Sequence, residues 1–466
     1  MKNASFTSYH ELSKKNDNRR VWLEGEPLMR AGFMPGDYYS VNLDIDTLQI
    51  SLNHIPDSKA ARLRHKAKEI RKVSRRQMSG WVKPIVDICN AEITSLFGDF
   101  ARFRAQAFNG SIQFGIHPED LARARREVSI VSNIKNGFIT KGDAFLGLGI
   151  SADSARTAAS MCGLKSKQLW AIEMEARYLD VAVQNSPEAY KDAHLFCGKV
   201  EEVEKNLLEP VDSFSFSMAC TNYSSHGITK KKLSSPEMGD EVTSLFGVVD
   251  IIKHVNPALM FSENVPGAMG SVSYELLKKE LKRLGYVTHD MILTSKESGA
   301  IERRRRYWMV AFSEGLNLDV NDLIPDDHER EYDVFAEIKD VEISDKAWHP
   351  ASKLVKRELL NKENGRNFSI SRVDDSTKSI GTIPRNYSKH QVSNPHVFSE
   401  NGLEYRLLTK TEHAKSKLVP VRLVNNCSST VAHEGLGQGI AYFHGVGTAH
   451  KAYSAVINKI QMSQAA

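Results

Sequence analysis

Residues 138–151 read FITKGDAFLGLGIS, and this stretch decides the fold. A strand-like run passes directly into a glycine-rich turn, and further apolar, strand-like runs follow along the chain. These runs are LWAIEME (169–175), SFSFSMAC (213–220), ALMFSENV (258–265), VTHDMIL (287–293) and RYWMVAF (306–312). Amphipathic helical patterns at 241–255 and 272–284 lie between them. This alternation predicts an α/β domain built on a sheet of about six strands.

The glycine-rich turn has the form of a cofactor-binding turn. Gly147 and Gly149 let a ligand approach the backbone closely, and Glu173 ends the next strand, where an acidic side chain can hold ribose hydroxyls. Taken alone the pattern is weak, because a glycine-rich turn between a strand and a helix is as often structural as ligand-binding.

Other chemically active residues follow in a fixed order. Cys220 ends a strand in SMAC, Glu263 stands in SENVPG, and four arginines occupy 303–306. YRLLTKTEHA (405–414) and GQGI (437–440) come later. A lone cysteine at the end of an apolar strand is usually a buried core thiol, so Cys220 is singled out only by the partners that follow it.

Together these blocks resemble the S-adenosylmethionine-dependent DNA cytosine-C5 methyltransferases, over about residues 137–460. The resemblance implies a Rossmann-like methyltransferase domain with a smaller target-recognition domain, and S-adenosylmethionine as the cofactor. It assigns cofactor binding to residues of the turn, of the second strand, of the 241–255 helix and of the terminal block. These residues are Asp143, Phe145, Gly147, Leu148, Gly149, Glu173, Met174, Leu245, Gln438 and Gly439.

The same resemblance assigns catalysis to Cys220, Glu263, Arg304 and Arg306, with no metal. A thiolate that attacks C6 of cytosine makes C5 nucleophilic, which divides one difficult step into two. A buried carboxyl can be held protonated to serve N3. Arginine forks can fix the O2 edge of the base and steady the carboxylate, and if 307–312 is a strand, alternate arginines face one way. A cytosine inside a duplex must be flipped out to be reached.

The sequence departs from the family pattern at several positions. Ala219 replaces the proline before the nucleophile, Thr221 follows it in place of the common glutamine, and Glu302 replaces the glutamine that leads the arginine block. An acidic contact to adenine, which the family has after its third strand, is not evident in LFCGKVEEV, where Gly198 and Lys199 stand near that place.

By the resemblance, the catalytic domain spans 137–315, target recognition spans 316–434, and 435–466 returns to the catalytic domain. Residues 353–390 carry nine Lys/Arg against four Asp/Glu, with the polar side chains that clamp phosphates and read bases. We expect four of them to face DNA near the flipped base: Thr382, Ile383, Arg385 and Tyr387.

Residues 1–130 lie outside the resemblance and form a mildly basic region, with 21 Lys/Arg against 15 Asp/Glu. Residues 21–52 show a strand-like pattern, 85–97 predict a short helix, and Arg62–Arg76 form a basic run that is solvated or faces nucleic acid. WLEGEPLMRAGFMPGDYYSV (22–41) resembles the SymE-like and AbrB-like β domains, which implies a β-rich extension that contacts DNA or dimerises. A merely stabilising extension is an equal alternative.

Composition narrows the class of protein. With 466 residues, 41% apolar and 26% charged, the chain is globular and of two to four domains. Five cysteines do not make a disulfide framework, the amino-terminal segment has no apolar core, and no apolar run is long enough to cross a bilayer. We expect a cytoplasmic, nucleoid-associated enzyme that acts on double-stranded DNA without membrane contact. An enzyme of the same fold acting on RNA and a catalytically weak DNA-binding regulator remain alternatives, and the oligomeric state is left open.

Overall fold

Contacts within the chain divide it into two units, Met1–Arg125 and Arg126–Ala466. The computed structural model describes residues 5–15, 18–56, 70–89, 91, 95–218, 239–365 and 369–465. The boundary between the units falls inside one helix, Pro118–Lys135, which the sequence patterns did not predict. Among the described residues, no helix is long and apolar enough to span a membrane.

The first unit consists of two antiparallel sheets, which confirms the expected β-rich extension. The larger sheet has the order β1-β9-β10-β5-β4-β6 and the smaller has β2-β3-β8-β7. Among the described residues of this unit, the strands are β1 Phe6–Glu11, β2 Ser13–Lys15, β3 Asn18–Glu24, β4 Tyr38–Asp44, β5 Gln49–Ile55, β6 Ile70–Lys72, β7 Ser74–Met78, β8 Trp81–Ile88, β9 Arg102–Phe108 and β10 Ser111–Ile116. A short helix, α1, spans Glu26–Arg30.

The apolar core of this unit follows the two-residue period of its strands. Phe103, Ala105 and Ala107 of β9 alternate inward and are buried. The helix expected over 85–97 is wrong at 85–88, because these residues belong to β8, which pairs with β3 on one side and β7 on the other. Residues 90 and 92–94 lie outside the described residues, and Ser95–Phe97 form a short 3-10 helix. β-Branched residues at 85, 86 and 88 suit that pleated surface better than a helix.

The second unit contains a seven-stranded sheet of order β13-β12-β11-β14-β15-β17-β16, which confirms the predicted α/β fold. Its strands are β11 Phe138–Ala144, β12 Lys165–Glu173, β13 His194–Cys197, β14 Ser213–Phe216, β15 Leu259–Asn264, β16 Tyr286–Leu293 and β17 Arg306–Ser313. The first five are parallel, whereas β17 runs antiparallel to both β15 and β16. The six predicted strands are present, and the short β13 was missed.

Helices cover both faces of this sheet. The helices described between 118 and 465 are α2 Pro118–Lys135, α3 Ile150–Met161, α4 Ala176–Asn185, α5 Pro187–Tyr190, α6 Ser244–Val255, α7 Val272–Arg283, α8 Ser295–Ser298, α9 Ser352–Glu363, α10 Lys410–Ser416, α11 Ser429–Gln438 and α12 Tyr442–Ala465. Of these, α9 packs through Leu354 with Val392 and Tyr405 and does not cover the sheet. Leu259 and Phe261 of β15 join the core beneath α3 and α12, whereas Met260 joins the core beneath α6 and α7. Alternate side chains of one buried strand therefore serve two helix layers.

Residues 316–434 lie within this second unit and contain a small four-stranded sheet of order β18-β21-β20-β19. The strands are β18 His349–Pro350, β19 Ser371–Val373, β20 Pro395–Phe398 and β21 Glu404–Arg406. This region is tied to the segment before β17 by backbone contacts. Glu302 and Ile380 form an isolated parallel β-bridge, and Arg303 N donates a hydrogen bond to Ile380 O (2.8 Å).

Candidate functional site

A cleft of about 240 Å³ opens at the carboxyl ends of the parallel strands β11 and β12. It is lined by Phe145, Ile172, Glu173, Met174, Gly198, Lys199, Val200, Glu201, Thr243 and Ser244. Sequence reasoning named Phe145, Glu173 and Met174 among these. It missed Glu201, a half-buried acid only two residues beyond the place where the acid seemed absent, because strand β13 was not recognised.

Glu173 fixes the shape of the glycine-rich turn. Its Oε2 accepts a hydrogen bond from Gly147 N (2.7 Å), and its Oε1 accepts one from Glu175 N (3.0 Å). Each carboxylate oxygen has a second lone pair, so both can still accept from a ligand hydroxyl. Beside it, the Met174 side chain is 57% exposed and offers an apolar surface in the cleft.

The turn itself needs glycine at two positions. Gly147 has φ +57° and Gly149 has φ +76°, a left-handed conformation that favours glycine. A Cβ on Gly147 would meet nothing within 4 Å, so open space lies directly above its backbone. Gly149 is the N-cap of α3, with no side chain capping that end of the helix. An approachable backbone therefore faces the space above the turn.

Two other predicted cofactor residues, Asp143 and Leu245, are buried and are not part of the lining of the cleft. Asp143 is buried at the end of β11, where it accepts from Gln168 Nε2 (2.8 Å) and pairs with Lys141 Nζ (3.3 Å). Leu245, in the first turn of α6, is buried in the core beneath that helix. Neither residue lines the cleft, although Asp143 stands two residues before the lining Phe145 and Leu245 directly follows the lining Ser244.

The terminal block returns to the same turn. Leu148 is buried and contacts α11 so closely that a Cβ on Gly435 would lie 2.3 Å from Leu148 Cδ1. A Cβ on Gly439 would similarly lie 2.9 Å from Ile150 Cδ1. The exposed Gln438 donates weakly to Tyr178 Oη (3.4 Å). The contacts of Gly435 and Gly439 bring the end of α11 against the glycine-rich turn and the start of α3.

A second cluster lies where β15 ends. Glu263 is 7% exposed, and its Oε1 lies 3.0 Å from Arg306 Nε at the start of β17. The neighbouring Asn264 donates from Nδ2 to Met218 O (2.9 Å). Met218 is the last described residue before 219–238, and Cys220 lies in that segment, outside the described residues. Asn264 therefore anchors the chain two residues before Cys220.

Arg304 and Arg306 lie in different environments, whereas the sequence had suggested that both face the site together. β17 begins at Arg306, so strand alternation does not extend back to Arg304. Arg304 is 1% exposed and donates to Glu302 Oε1 (3.3 Å) and to Gly437 O (2.9 Å). Glu302 Oε1 also accepts from Ile383 N (2.9 Å). Arg304 and Glu302 thus connect the site to the recognition region and to α11.

Lys417 was not anticipated. Its fully buried Nζ donates to Leu436 O and to Gly439 O (2.8 Å). Burial, and then the charge of Arg304, hold the pKa of this amine well below its usual range. Burial therefore favours the neutral form of this amine, close to the arginines.

The four expected DNA-facing residues separate into two pairs. Ile383 and Tyr387 are 0% exposed in the core of the recognition region, and Tyr387 Oη donates to Pro395 O (2.6 Å). Their side chains do not face a DNA surface, because burial of their apolar area stabilises the region instead. Thr382 and Arg385 are exposed, although Thr382 Oγ1 donates to Arg303 O (2.6 Å) and Arg385 donates to Tyr178 Oη (3.3 Å).

Comparisons with known proteins agree with this arrangement. Residues 143–429 match the family model of the C-5 cytosine-specific DNA methylases. The Type II methyltransferase M.MspI of a Moraxella species is 25% identical over 247 residues, which is 52% of this chain and 56% of that protein. M.SsoII of Shigella sonnei is 22% identical over 217 residues, which is 43% of this chain and 54% of that protein. The chain spans little more than half the length of these curated relatives.

Solved structures show the same fold at low sequence identity. The Entamoeba histolytica methyltransferase EhMeth superimposes with a TM-score of 0.55 at 14% identity, over 69% of this chain and 99% of that one. The S. pombe Dnmt2 methyltransferase superimposes with a TM-score of 0.53 at 15% identity, with the same coverage of each chain.

Proposed function

Because this chain belongs to the family of C-5 cytosine-specific DNA methylases, we propose that it methylates C5 of cytosine in double-stranded DNA. The observation that carries this proposal is the geometry where β15 ends. A buried Glu263 faces Arg306, and the adjacent Asn264 holds the carbonyl of Met218, two residues before Cys220.

The cleft fits S-adenosylmethionine by the chemistry of its donors and acceptors. Glu173 has free lone pairs for ribose hydroxyls, and Met174 gives an apolar face for a purine. The carboxylate of Glu201 can accept a hydrogen bond from the exocyclic amine of the adenine. The open space at Gly147 leaves room beside the backbone for the methionine end of the cofactor. When bound, this cofactor supplies an electrophilic methyl group carried on a sulfonium.

The remaining chemistry belongs to side chains of the chain. In the proposal the thiolate of Cys220 attacks C6, so that the electron pair of the C5–C6 double bond moves toward C5. Glu263 donates a proton or a strong hydrogen bond to N3, where negative charge develops. Arg306 orients that carboxyl through its Nε. Once C5 carries its methyl group, a base removes the C5 proton and the thiolate leaves.

Arg304 acts in this scheme as a positioning residue. Its guanidinium reaches Gly437 O and Glu302, and both partners are buried. It joins the loop before β17 to α11, which contacts the cofactor turn. Of the expected DNA-facing residues, only Thr382 and Arg385 remain candidates for contact with the target strand.

The decisive experiment measures 5-methylcytosine in the genome of a host that lacks cytosine methylation. Wild type, Cys220→Ala and the matched control Cys427→Ala would each be expressed, and the DNA sequenced after bisulfite conversion. We expect methylation at one short motif in wild type and in Cys427→Ala, and none in Cys220→Ala.

Other outcomes would revise the proposal. Methylcytosine found in RNA but not in DNA would select the RNA alternative. If neither DNA nor RNA is methylated, and the effect of the protein on its host is the same for wild type and Cys220→Ala, the alternative of a DNA-binding regulator would be supported.

A further inference from the structure

The smaller sheet of the first unit carries a strong excess of positive charge. Its four strands, β2, β3, β7 and β8, contain seven Lys/Arg and only two acidic residues. One acid, Asp87, is held by Arg20 in a bidentate pair (2.8 Å for both bonds). The other acid, Glu24, is shared between Lys83 (2.6 Å) and Arg76 (3.7 Å).

One hairpin of this sheet extends beyond its neighbour. Strand β3 pairs with β8 only from Ile85 to Ile88, whereas β7 pairs with β8 from Ser74↔Ile85 to Met78↔Trp81. Gly80, at φ +83°, closes the two-residue turn. Residues 74–84 therefore form a two-stranded arm, whose base is held by the hydrogen bond from Gly25 N to Pro84 O (3.0 Å). All five residues of β7 are exposed.

The arm has an apolar tip on a cationic stem. Trp81, Met78 and Val82 at the tip are 45%, 39% and 37% exposed. Arg76 lies opposite Lys83, on the same face of the arm as Trp81, and Arg75 lies on the other face. Among the described residues Arg75 has no ion-pair partner, so its charge is available for a ligand.

We infer that this arm is a second DNA-binding element, which contacts duplex DNA independently of the methylation site. A two-stranded ribbon fits the major groove, where arginines reach the flanking phosphates and an apolar tip touches base edges. The excess of positive charge selects a polyanion as the partner. The choice of duplex DNA among polyanions rests on the proposed function.

The same unit supplies a matched control. The hairpin β4–β5 also has an exposed apolar tip, with Ile45 74% exposed, but it is flanked by the acidic Asp44 and Asp46. A general effect of removing exposed apolar side chains would appear at both tips. An effect of DNA binding appears only at the cationic one.

The experiment measures dissociation constants for a 30-base-pair duplex at several salt concentrations by fluorescence anisotropy. It uses the full chain as wild type, Arg75→Gln/Arg76→Gln, Trp81→Ser and Ile45→Ser. The double variant should lower the salt slope by roughly 1.8, since each phosphate contact contributes about 0.9. Trp81→Ser should weaken binding about tenfold, because a large apolar side chain is no longer buried in the groove, and it should leave the salt slope unchanged, because no charge is removed. Ile45→Ser should bind like wild type.

The outcomes separate this inference from the proposed function. The inference would be overturned if both arm variants bound the duplex with the affinity and the salt slope of wild type, or if wild type bound no duplex. Either result would overturn it even if the protein methylates DNA. Weaker binding by the arm variants in a protein that methylates nothing would support the arm and reject the proposed function. Binding of hairpin RNA that depends on the arm, without any such effect on duplex DNA, would also overturn it. Equal thermal unfolding midpoints would verify that all variants fold.

Discussion

Substituting Gly435→Ala should push the cofactor turn out of shape, and the structure gives the size of the clash. The added Cβ would lie 2.3 Å from both Cδ1 and Cγ of Leu148 and 3.1 Å from its Cδ2. Favourable carbon contacts need about 3.5–4.0 Å, so Leu148 must retreat by more than about 1 Å. Overpacking of this kind costs about 1–3 kcal/mol of the free energy of unfolding.

A second substitution can relieve the clash selectively. Leu148→Ala deletes the three atoms nearest to the added Cβ, and alone it costs about 2–5 kcal/mol because it leaves a cavity. In the Leu148→Ala background, Gly435→Ala should therefore cost close to nothing. We expect a favourable coupling energy of about 1–3 kcal/mol between the two changes.

Chemical denaturation of the four proteins of the cycle gives this coupling, and calorimetric titration gives the affinity for S-adenosylmethionine. Gly435→Ala alone should weaken that affinity about tenfold, or about 1.4 kcal/mol. Gly437→Ala is the control, because its Cβ would lie 2.5 Å from Arg385 N and Pro384 C, which are backbone atoms. Leu148→Ala should not relieve the clash that Gly437→Ala creates with these backbone atoms. Additive effects of Gly435→Ala and Leu148→Ala, within about 0.5 kcal/mol, would refute the reasoning.

Three further predictions follow from single contacts. Glu173→Ala removes the acceptor for Gly147 N and the ribose contact, so affinity for S-adenosylmethionine should fall at least about tenfold in calorimetry; unchanged affinity would place the ribose elsewhere. Asn264→Ala releases the carbonyl of Met218, so single-turnover methylation should slow while DNA affinity stays the same; equal loss of both would indicate a general folding defect. Burial lowers the pKa of Lys417, so the unfolded state binds more protons than the folded state. The free energy of unfolding of wild type, measured by chemical denaturation, should therefore rise with pH toward about 10.4. Lys417→Met should flatten that rise, and an unchanged slope in this variant would contradict the assignment.

Local patterns in the sequence determined the catalytic fold. Alternating strands and helices predict an α/β domain, because each element has its own period of apolar residues. Glycines at 147 and 149 mark a turn that needs φ above zero. The ordered sequence motifs were sufficient to name the family, because a motif is defined by residue types in a fixed order and does not depend on distances in the folded chain. The helix expected over 85–97 was placed wrongly at 85–88, because an apolar run with β-branched residues fits either period when its strand partners are unknown.

Only the tertiary structure decided which side chains reach the site. Ile383 and Tyr387 stand among polar residues in the sequence, yet the hydrophobic effect places them in a core made of segments from distant parts of the chain. Arg304 and Arg306 are two residues apart, yet one bonds Gly437 O and the other faces Glu263. Such partners come from packing between elements, and the sequence of one segment carries no information about which distant carbonyl or carboxylate will lie beside it.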